Sequence, residues 1–480
     1  MRSKTPDKVI EKLKKIARSN IRHENYERAL AAISNAGNIL YYWNQFFTDK
    51  DLEDGLMSLS SLMLRPQNSK FVQNNNTILF YDGFGGDTRG LAAIYLKGLV
   101  RLNYQVVYLV PERARHNQPH LHQLLVGGNI VWEYYPERKF TEHALKIQDC
   151  FETYKPSKAI LYTSPGDTSA IIVFNAYKDL VERYQINLTD HAFWLGVNAF
   201  DYCIEFRQFG CILSQKYRGI PKERIILLPY YPYIDKTIPF SGFTKEIEGK
   251  KIVFSGGSLY KTLGDKENRY YKIVGKLLNE NSDVVFIYAG KGDDSELKKI
   301  ISKYPGRAYH IAERKDLYQV LKRSTIYLST FPMFGGLMSQ YAVSSGVIPL
   351  TLVDRNYDSS RNVLWGQEEM GIIFTDYDTL VDEANRLIRD NTYRLTKYEQ
   401  IKGCVISENK FEEELHTCLE DHYTCFEVSP ERELELQDFI ERYRKRFNYK
   451  MITKNMSRSV IFYFPRIFLY RLIEKLAWKK

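Results

Sequence analysis

The sequence predicts an α/β chain: two doubly wound parallel sheets, a helical lead-in before them and a basic amphipathic tail after them. Three observations carry that expectation. Short apolar runs bounded by turn residues recur from 77 to 375, as strands buried on both faces require. Stretches with helical spacing lie between them, which is the alternation of a parallel sheet covered on both sides. The pattern stops near 235–250 and then restarts. At ~150 residues per domain, a chain of 480 residues makes about three units.

Residues 1–72 have helical spacing (Ile10, Leu13, Ile16, Ala17, then Ala29, Leu30, Ile33) and few β-branched runs. The character changes at Thr77. Strands are expected at TILFY (77–81), QVVYLV (105–110), NIVWEYY (129–135), AILYT (159–163), AFWLG (192–196), YCIEF (202–206) and RIILLP (224–229). The second series opens with KIVFSGG (251–257) and continues with VVFIYAGKG (284–292), AYHI (308–311), TIYLST (325–330), VIPLTLV (347–353) and GIIFT (371–375). Helices are expected at 268–279, 294–303, 315–322, 336–345 and 377–389. The resulting division is a lead-in at 1–72, a first domain at 73–240, a second at 250–415, a crossover helix region at 416–440 and a tail at 441–480. Ligands of such sheets sit outside the carboxyl ends of the strands, so a cleft between the two sets of strand ends is the expected site.

Composition narrows the function classes. Hydrophobic residues make up 44% and charged residues 26%, which is globular and excludes a disordered chain. Six cysteines lie scattered with no Cys-x-x-Cys pair. This excludes a zinc ribbon or a disulfide scaffold and fits a reducing cytoplasm. The N-terminus, MRSKTPDKVIEKLKK, lacks the apolar core of a signal peptide, and no run of about 18 apolar residues is present to span a bilayer. Net charge is +10, and residues 441–480 alone hold 12 Lys or Arg against two Glu. The body is therefore neutral, which argues against nucleic acid as a partner, and the tail points to an anionic surface.

Three glycine clusters follow strands. Gly83, Gly85, Gly86, Asp87, Arg89 and Gly90 form the first. The spacing is not that of a dinucleotide fingerprint and no P-loop lysine follows, so a tight βα turn or the rim of an acceptor site are the two readings. The second is Gly256, Gly257 and Ser258, with Lys261 beyond. The third is FPMFGGLMSQ, where Gly335 and Gly336 open a helix whose first turn holds Leu337, Ser339 and Gln340. Glycines at a helix start leave outward N–H groups suited to a diphosphate, and Lys261 adds a positive charge.

The run IYLSTFPMFGGLMSQYAVSSGVIPLTL resembles the donor-site segment of GT-B glycosyltransferases, and KIVFSGGSLYK, VVFIYAGKG and HIAERKDLYQVLKRSTIYLS resemble the same superfamily over roughly 75–415. The resemblance implies two Rossmann-like domains, a nucleotide-diphosphate sugar as donor, UDP-linked, and no metal requirement. No Asp-x-Asp motif is present; Asp293 and Asp294 are read as a helix cap. Many retaining members carry two glutamates in this segment, and here those places fall on Met333 and Tyr341. The Phe-Pro-x-Phe-Gly-Gly pattern is also similar to inverting O-GlcNAc transferases and bacterial cytoplasmic N-glycosyltransferases, so the stereochemical outcome stays open.

On the acceptor side the candidates are His191, with Asp190 beside it, and Asp167. Histidine accepts a proton near pH 7 with least perturbation. Asp190 orients His191 directly only if the segment is a loop, because strand neighbours face opposite ways. The alternative for His191 is a histidine satisfied by backbone, and for Asp167 a helix N-cap. His116, His120 and His122 fit no zinc spacing and are read as a polar loop. Arg314 either reaches the diphosphate or solvates a helix start. In the tail, Phe468, Leu469, Leu472, Ile473 and Leu476 share one helical face and Arg466, Arg471, Glu474 and Lys475 the other, as in a helix lying in a membrane interface; the alternative is a helix packed back on the protein. The expected function is transfer of a sugar to a hydroxyl acceptor, a lipid-linked glycan of cell-surface polysaccharide such as capsule, by a chain peripheral to the inner membrane face. A protein acceptor, an inactive GT-B partner protein and a nucleotide-sugar epimerase are the alternatives.

Overall fold

The computed structural model describes residues 6–67, 71–87, 90–354, 370–428, 436–437, 440–441, 452, 456–469 and 471. They form two compact units, one of residues 1–228 with 412–480 and one of residues 229–411.

The first unit opens with helices α1 (Pro6–Arg22), α2 (Tyr26–Trp43) and α3 (Lys50–Met63). It continues as β1 (Asn74–Asp82), α4 (Ala92–Arg101), β2 (Gln105–Pro111), α5 (Pro119–Leu124), β3 (Ile130–Tyr135), α6 (Phe140–Tyr154), β4 (Pro156–Tyr162), α7 (Thr168–Ala176), β5 (Glu182–Ile186), β6 (Tyr202–Glu205), α8 (Gln208–Arg218) and β7 (Ile225–Leu227). The strands pair in parallel in the order β3-β2-β1-β4-β5-β6-β7. The order reverses between β1 and β4, where the crevice of a doubly wound sheet opens. The lead-in shares this unit's core: Leu13, Leu30, Leu40 and Leu56 are buried in one apolar cluster with Ile171, Phe174 and Phe193.

The second unit runs β8 (Lys251–Gly256), α9 (Arg269–Glu280), β9 (Val284–Ala289), α10 (Ser295–Lys303), β10 (Ala308–Ile311), α11 (Leu317–Lys322), β11 (Ile326–Leu328), α12 (Gly336–Ser344), β12 (Pro349–Leu352), β13 (Ile373–Phe374), α13 (Tyr377–Arg389) and α14 (Asn391–Ile401). Its strands are also parallel, ordered β10-β9-β8-β11-β12-β13, with the reversal between β8 and β11. Helix α15 (Glu408–Glu420) leads the chain back to the first unit, where α16 (Arg458–Ile461) lies in the tail.

One expectation is corrected. AFWLG (192–196) is a loop, and the strand of that region is β5 at 182–186. The loop is apolar because it is packed under the lead-in: Ala192, Phe193 and Leu195 are fully buried. Strand β5 was hidden by its charge, since Arg183 reads as solvated yet is 1% exposed. It is held by Asp201 at 2.6 Å and by the Phe174 carbonyl at 2.9 Å. A buried charge needs such a partner set.

Over its described stretch the tail takes the second of its two readings. Val460, Ile461, Phe464 and Ile467 are buried in the same cluster as the lead-in. Ser457 N–H donates to Asn35 Oδ1 at 3.0 Å, and Lys12 donates to the Tyr463 carbonyl. The described stretch thus packs back on the protein and leaves Phe462, Phe468 and Leu469 exposed. Leu472, Ile473, Glu474, Lys475 and Leu476 lie outside the described residues. Among those described, no helix is long and apolar enough to cross a membrane.

Candidate functional site

In the second unit three glycine turns crowd the carboxyl end of the sheet. Gly257 N–H donates to the Ala289 carbonyl at 2.9 Å, and Leu259 N–H to the Lys291 carbonyl at 3.0 Å. A β-carbon on Gly290 would collide with the Gly257 carbonyl, so only glycine lets the turns after β8 and β9 approach this closely. On the other side of the reversal, Met333 N–H donates to the Lys261 carbonyl at 3.1 Å. That bond ties the 259–262 turn to the loop before α12. Met338 reaches within 3.4 Å of a β-carbon placed on Gly256, which brings the start of α12 against the β8 turn.

Two features make this crest receptive to an anion. Helix α12 begins at Gly336, with Gly335 as its cap and no side chain capping it, so its first amides point outward. Lys261 is half-buried and burial holds its amine below the ordinary lysine range, yet no carboxylate pairs with it among the described residues. Below Gly335, the Tyr327 hydroxyl is buried without a partner among the described residues and lies 3.5 Å from where a β-carbon on Gly335 would sit. Ser258 precedes the 259–262 turn and accepts Lys261 N–H at 3.1 Å.

Other donor-side candidates do different work. Arg314 takes the helix-start one of its two readings: its Nε and Nη2 bind the carboxylate of Asp316, which precedes α11, at 2.7 and 2.6 Å, and its Nη1 the Gly242 carbonyl at 3.0 Å. Gln340 is buried and donates to the Tyr230 carbonyl at 3.2 Å. Ser339 is buried as well, while Leu337 is half-buried at the mouth of the helix. Asp293 caps Ser295 N–H at 3.0 Å, as expected of a helix start.

In the first unit the corresponding crest is filled by its own carboxylates. Asp82 accepts from Phe84 N–H at 2.8 Å, Gly85 N–H at 3.0 Å and Tyr108 Oη at 2.7 Å, which fits the reading of this cluster as a tight βα turn. Burial raises its pKa from the ordinary aspartate value, with the bonds from Tyr108, Gly85 and Phe84 opposing. Gly85 takes φ +59 and sits on Pro111. The Gly86 carbonyl accepts Gln118 Nε2 at 2.7 Å. Asp87 caps α5 through Leu121 N–H at 2.7 Å and meets His120 Nδ1 at 2.6 Å. Arg89 lies outside the described residues. Of its two readings Asp167 takes that of a helix cap: it receives Ala170 N–H at 3.2 Å, Thr163 Oγ1 at 2.7 Å and the Tyr81 hydroxyl. His122 stacks on Trp132 at 3.7 Å. No group of three or more potential metal ligands is found among the described residues.

His191 stands apart from that crest, in the loop after β5. Because the segment is a loop, Asp190 does reach it: Nδ1 and Oδ1 are 3.3 Å apart. The His191 side chain is 31% exposed and that of Asp190 0%. Burial alone would raise the Asp190 pKa, but the Arg207 charge and hydrogen bonds from His191 and Arg207 outweigh it, and the carboxyl is held well below the usual range. Arg207 binds it at 2.5 and 2.9 Å. The result is an imidazole open to solvent on one side and held by a fixed carboxylate on the other. Neither Arg207 nor the nearby Arg218 was picked out from sequence; a weak signal was the clustering of arginines around an apolar helix in FRQFGCILSQKYRG.

No family model matches the chain, and no curated protein matches it. Solved structures do. A point mutant of the Thermobaculum terrenum O-GlcNAc transferase superposes with a TM-score of 0.53 at 12% identity, over 91% of this chain and 84% of its own. HepE of Anabaena, solved with UDP and glucose, gives 0.52 at 13%, over 72% of this chain and 100% of its own. A Listeria monocytogenes protein designated a candidate UDP-N-acetylglucosamine 2-epimerase gives 0.52 at 11%, over 73% and 97%. The fold is of the GT-B type.

Proposed function

We propose that the chain is a glycosyltransferase that takes a sugar from a nucleoside-diphosphate donor, UDP-linked, and places it on a hydroxyl acceptor. The observation that carries this is Lys261, a half-buried cation with no counter-charge among the described residues, beside the uncapped start of α12. A diphosphate supplies the missing charge, and the helix amides supply its hydrogen bonds. Gly256, Gly257 and Gly290 let the ligand reach the backbone.

In the reaction the bond from the anomeric carbon to the diphosphate oxygen breaks and a bond to the acceptor oxygen forms. His191 takes the acceptor proton on Nε2, and Asp190 holds Nδ1 in the protonated tautomer. The electron pair leaves with the diphosphate, whose charge Lys261 and the α12 amides offset. A lipid-linked glycan is the acceptor that best fits the +10 of residues 441–480 and the exposed Phe462, Phe468 and Leu469, with the chain peripheral to the inner membrane face. The test is incubation with radiolabelled UDP-sugars and membranes. Label in the lipid extract supports this reading, and label in protein moves the acceptor to a polypeptide. A changed sugar nucleotide without any acceptor makes the chain an epimerase. No label and no UDP binding make it a non-catalytic partner.

A further inference from the structure

The lead-in helices take no part in the steps above, yet their buried polar groups converge on the loop that carries His191. Asn44 closes α2 in the left-handed region, φ 40, with its own N–H on the Leu40 carbonyl. It is fully buried. Its side-chain amide reaches 147 residues along the chain: Nδ2 donates to the His191 carbonyl at 3.2 Å. Its Oδ1 accepts from Phe193 N–H at 3.1 Å. One side chain thus grips the peptide groups on both sides of Ala192.

The grip is shared. Arg218 Nη2 donates to the Asp190 carbonyl at 2.7 Å and the Ala192 carbonyl at 2.8 Å. Glu53 of α3, buried, accepts from Gly196 N–H at 2.8 Å. Leu195 N–H donates to the Pro165 carbonyl at 3.0 Å. A helix end needs only glycine to turn left-handed. Asparagine does the same and adds a donor and an acceptor on one flat group, and here both are spent on the loop rather than on the helix.

We propose that the lead-in is a brace for the acceptor-side loop and that Asn44 is a positioning residue, setting where the His191 imidazole stands. This rests on the reading of His191 as the base. A base displaced by about 1 Å loses on the order of 100-fold in rate, so the brace acts on turnover and leaves donor binding alone.

The test uses the full chain with UDP-N-acetylglucosamine and membranes. Asn44→Gly keeps the left-handed turn and removes the amide; Asn44→Asp keeps the acceptor for Phe193 N–H and loses the donor. We expect Asn44→Gly to lower kcat about 10- to 100-fold with donor KM and UDP affinity unchanged, Asn44→Asp to fall between it and the parent, and amide exchange over 191–197 to rise while the strands of the first unit keep their protection. Full kcat in folded Asn44→Gly, or unchanged exchange over 191–197, overturns the proposal. His191→Ala tells the two failures apart. Full turnover in that variant removes the reading of His191 as the base and the positioning role with it, whereas loss in His191→Ala with none in Asn44→Gly removes the brace alone.

Discussion

The crests of the two sheets are built alike and finished differently. Each has its strand-order reversal and its glycine turns. In the first unit the turn amides and the start of α7 are already occupied by Asp82 and Asp167. In the second, α12 starts uncapped and a cation stands beside it without a partner carboxylate among the described residues. The same supersecondary unit is thus a sealed scaffold where the protein supplies the anion, and on the proposed reading a binding site where a ligand supplies it. A glycine turn signals only that the backbone is approachable; the neighbouring side chains decide whether anything outside the protein approaches it.

The largest effect that tests this division is on chemistry rather than binding. His191→Ala is expected to cut turnover by about 100- to 10,000-fold while UDP affinity, read by calorimetry, stays at the parent value. A parallel loss of UDP affinity would join the two functions and break the comparison.

Next comes a pH effect in the first unit. Burial pushes the Glu53 carboxyl up to about 7 from an ordinary 4.5, opposed by bonds from the Gly196 and Val197 amides. The folded state then holds a proton that the unfolded chain has lost, so this contribution is whole below about pH 4.5 and declines as pH rises toward 7. The decline amounts to about 3 kcal/mol. Denaturant unfolding across that window should fall in the parent and stay level, by comparison, in Glu53→Gln; parallel curves would show that Glu53 does not titrate there.

Lys261→Ala sharpens the contrast directly. Losing one charge-assisted contact should weaken UDP by about 10- to 100-fold, with folding intact. Unchanged affinity would move the diphosphate away from α12. The smallest effect belongs to the sealed crest: Asp167→Ala should cost about 1–2 kcal/mol of stability through the lost cap and leave UDP affinity untouched.

Much of the fold was legible because parallel strands buried on both faces have no room for polar residues. TILFY and VVFIYAGKG are visible for that reason. The two misreadings share one cause. A buried arginine in β5 looks like surface, and a loop packed under helices looks like a strand, since burial is tertiary and leaves no period in the sequence. The glycine turns and Lys261 could be named from local spacing. Arg207 on Asp190 and Asn44 on His191 could not, because they join positions that only the folded chain brings together. The choice between the two readings of Arg314 was not legible either, because its carbonyl partner is at Gly242, 72 residues away.

The tail and lead-in meet through Asn35 with Ser457 and Lys12 with Tyr463. The first unit is therefore discontinuous, with the whole of 229–411 interrupting it. During synthesis its seven strands emerge early, but the cover over α1 and α2 arrives only with Val460, Phe464 and Ile467. A nascent chain carries that apolar seam open until residues 460–467 have been made, so a stretch made after the second unit closes a face made before it.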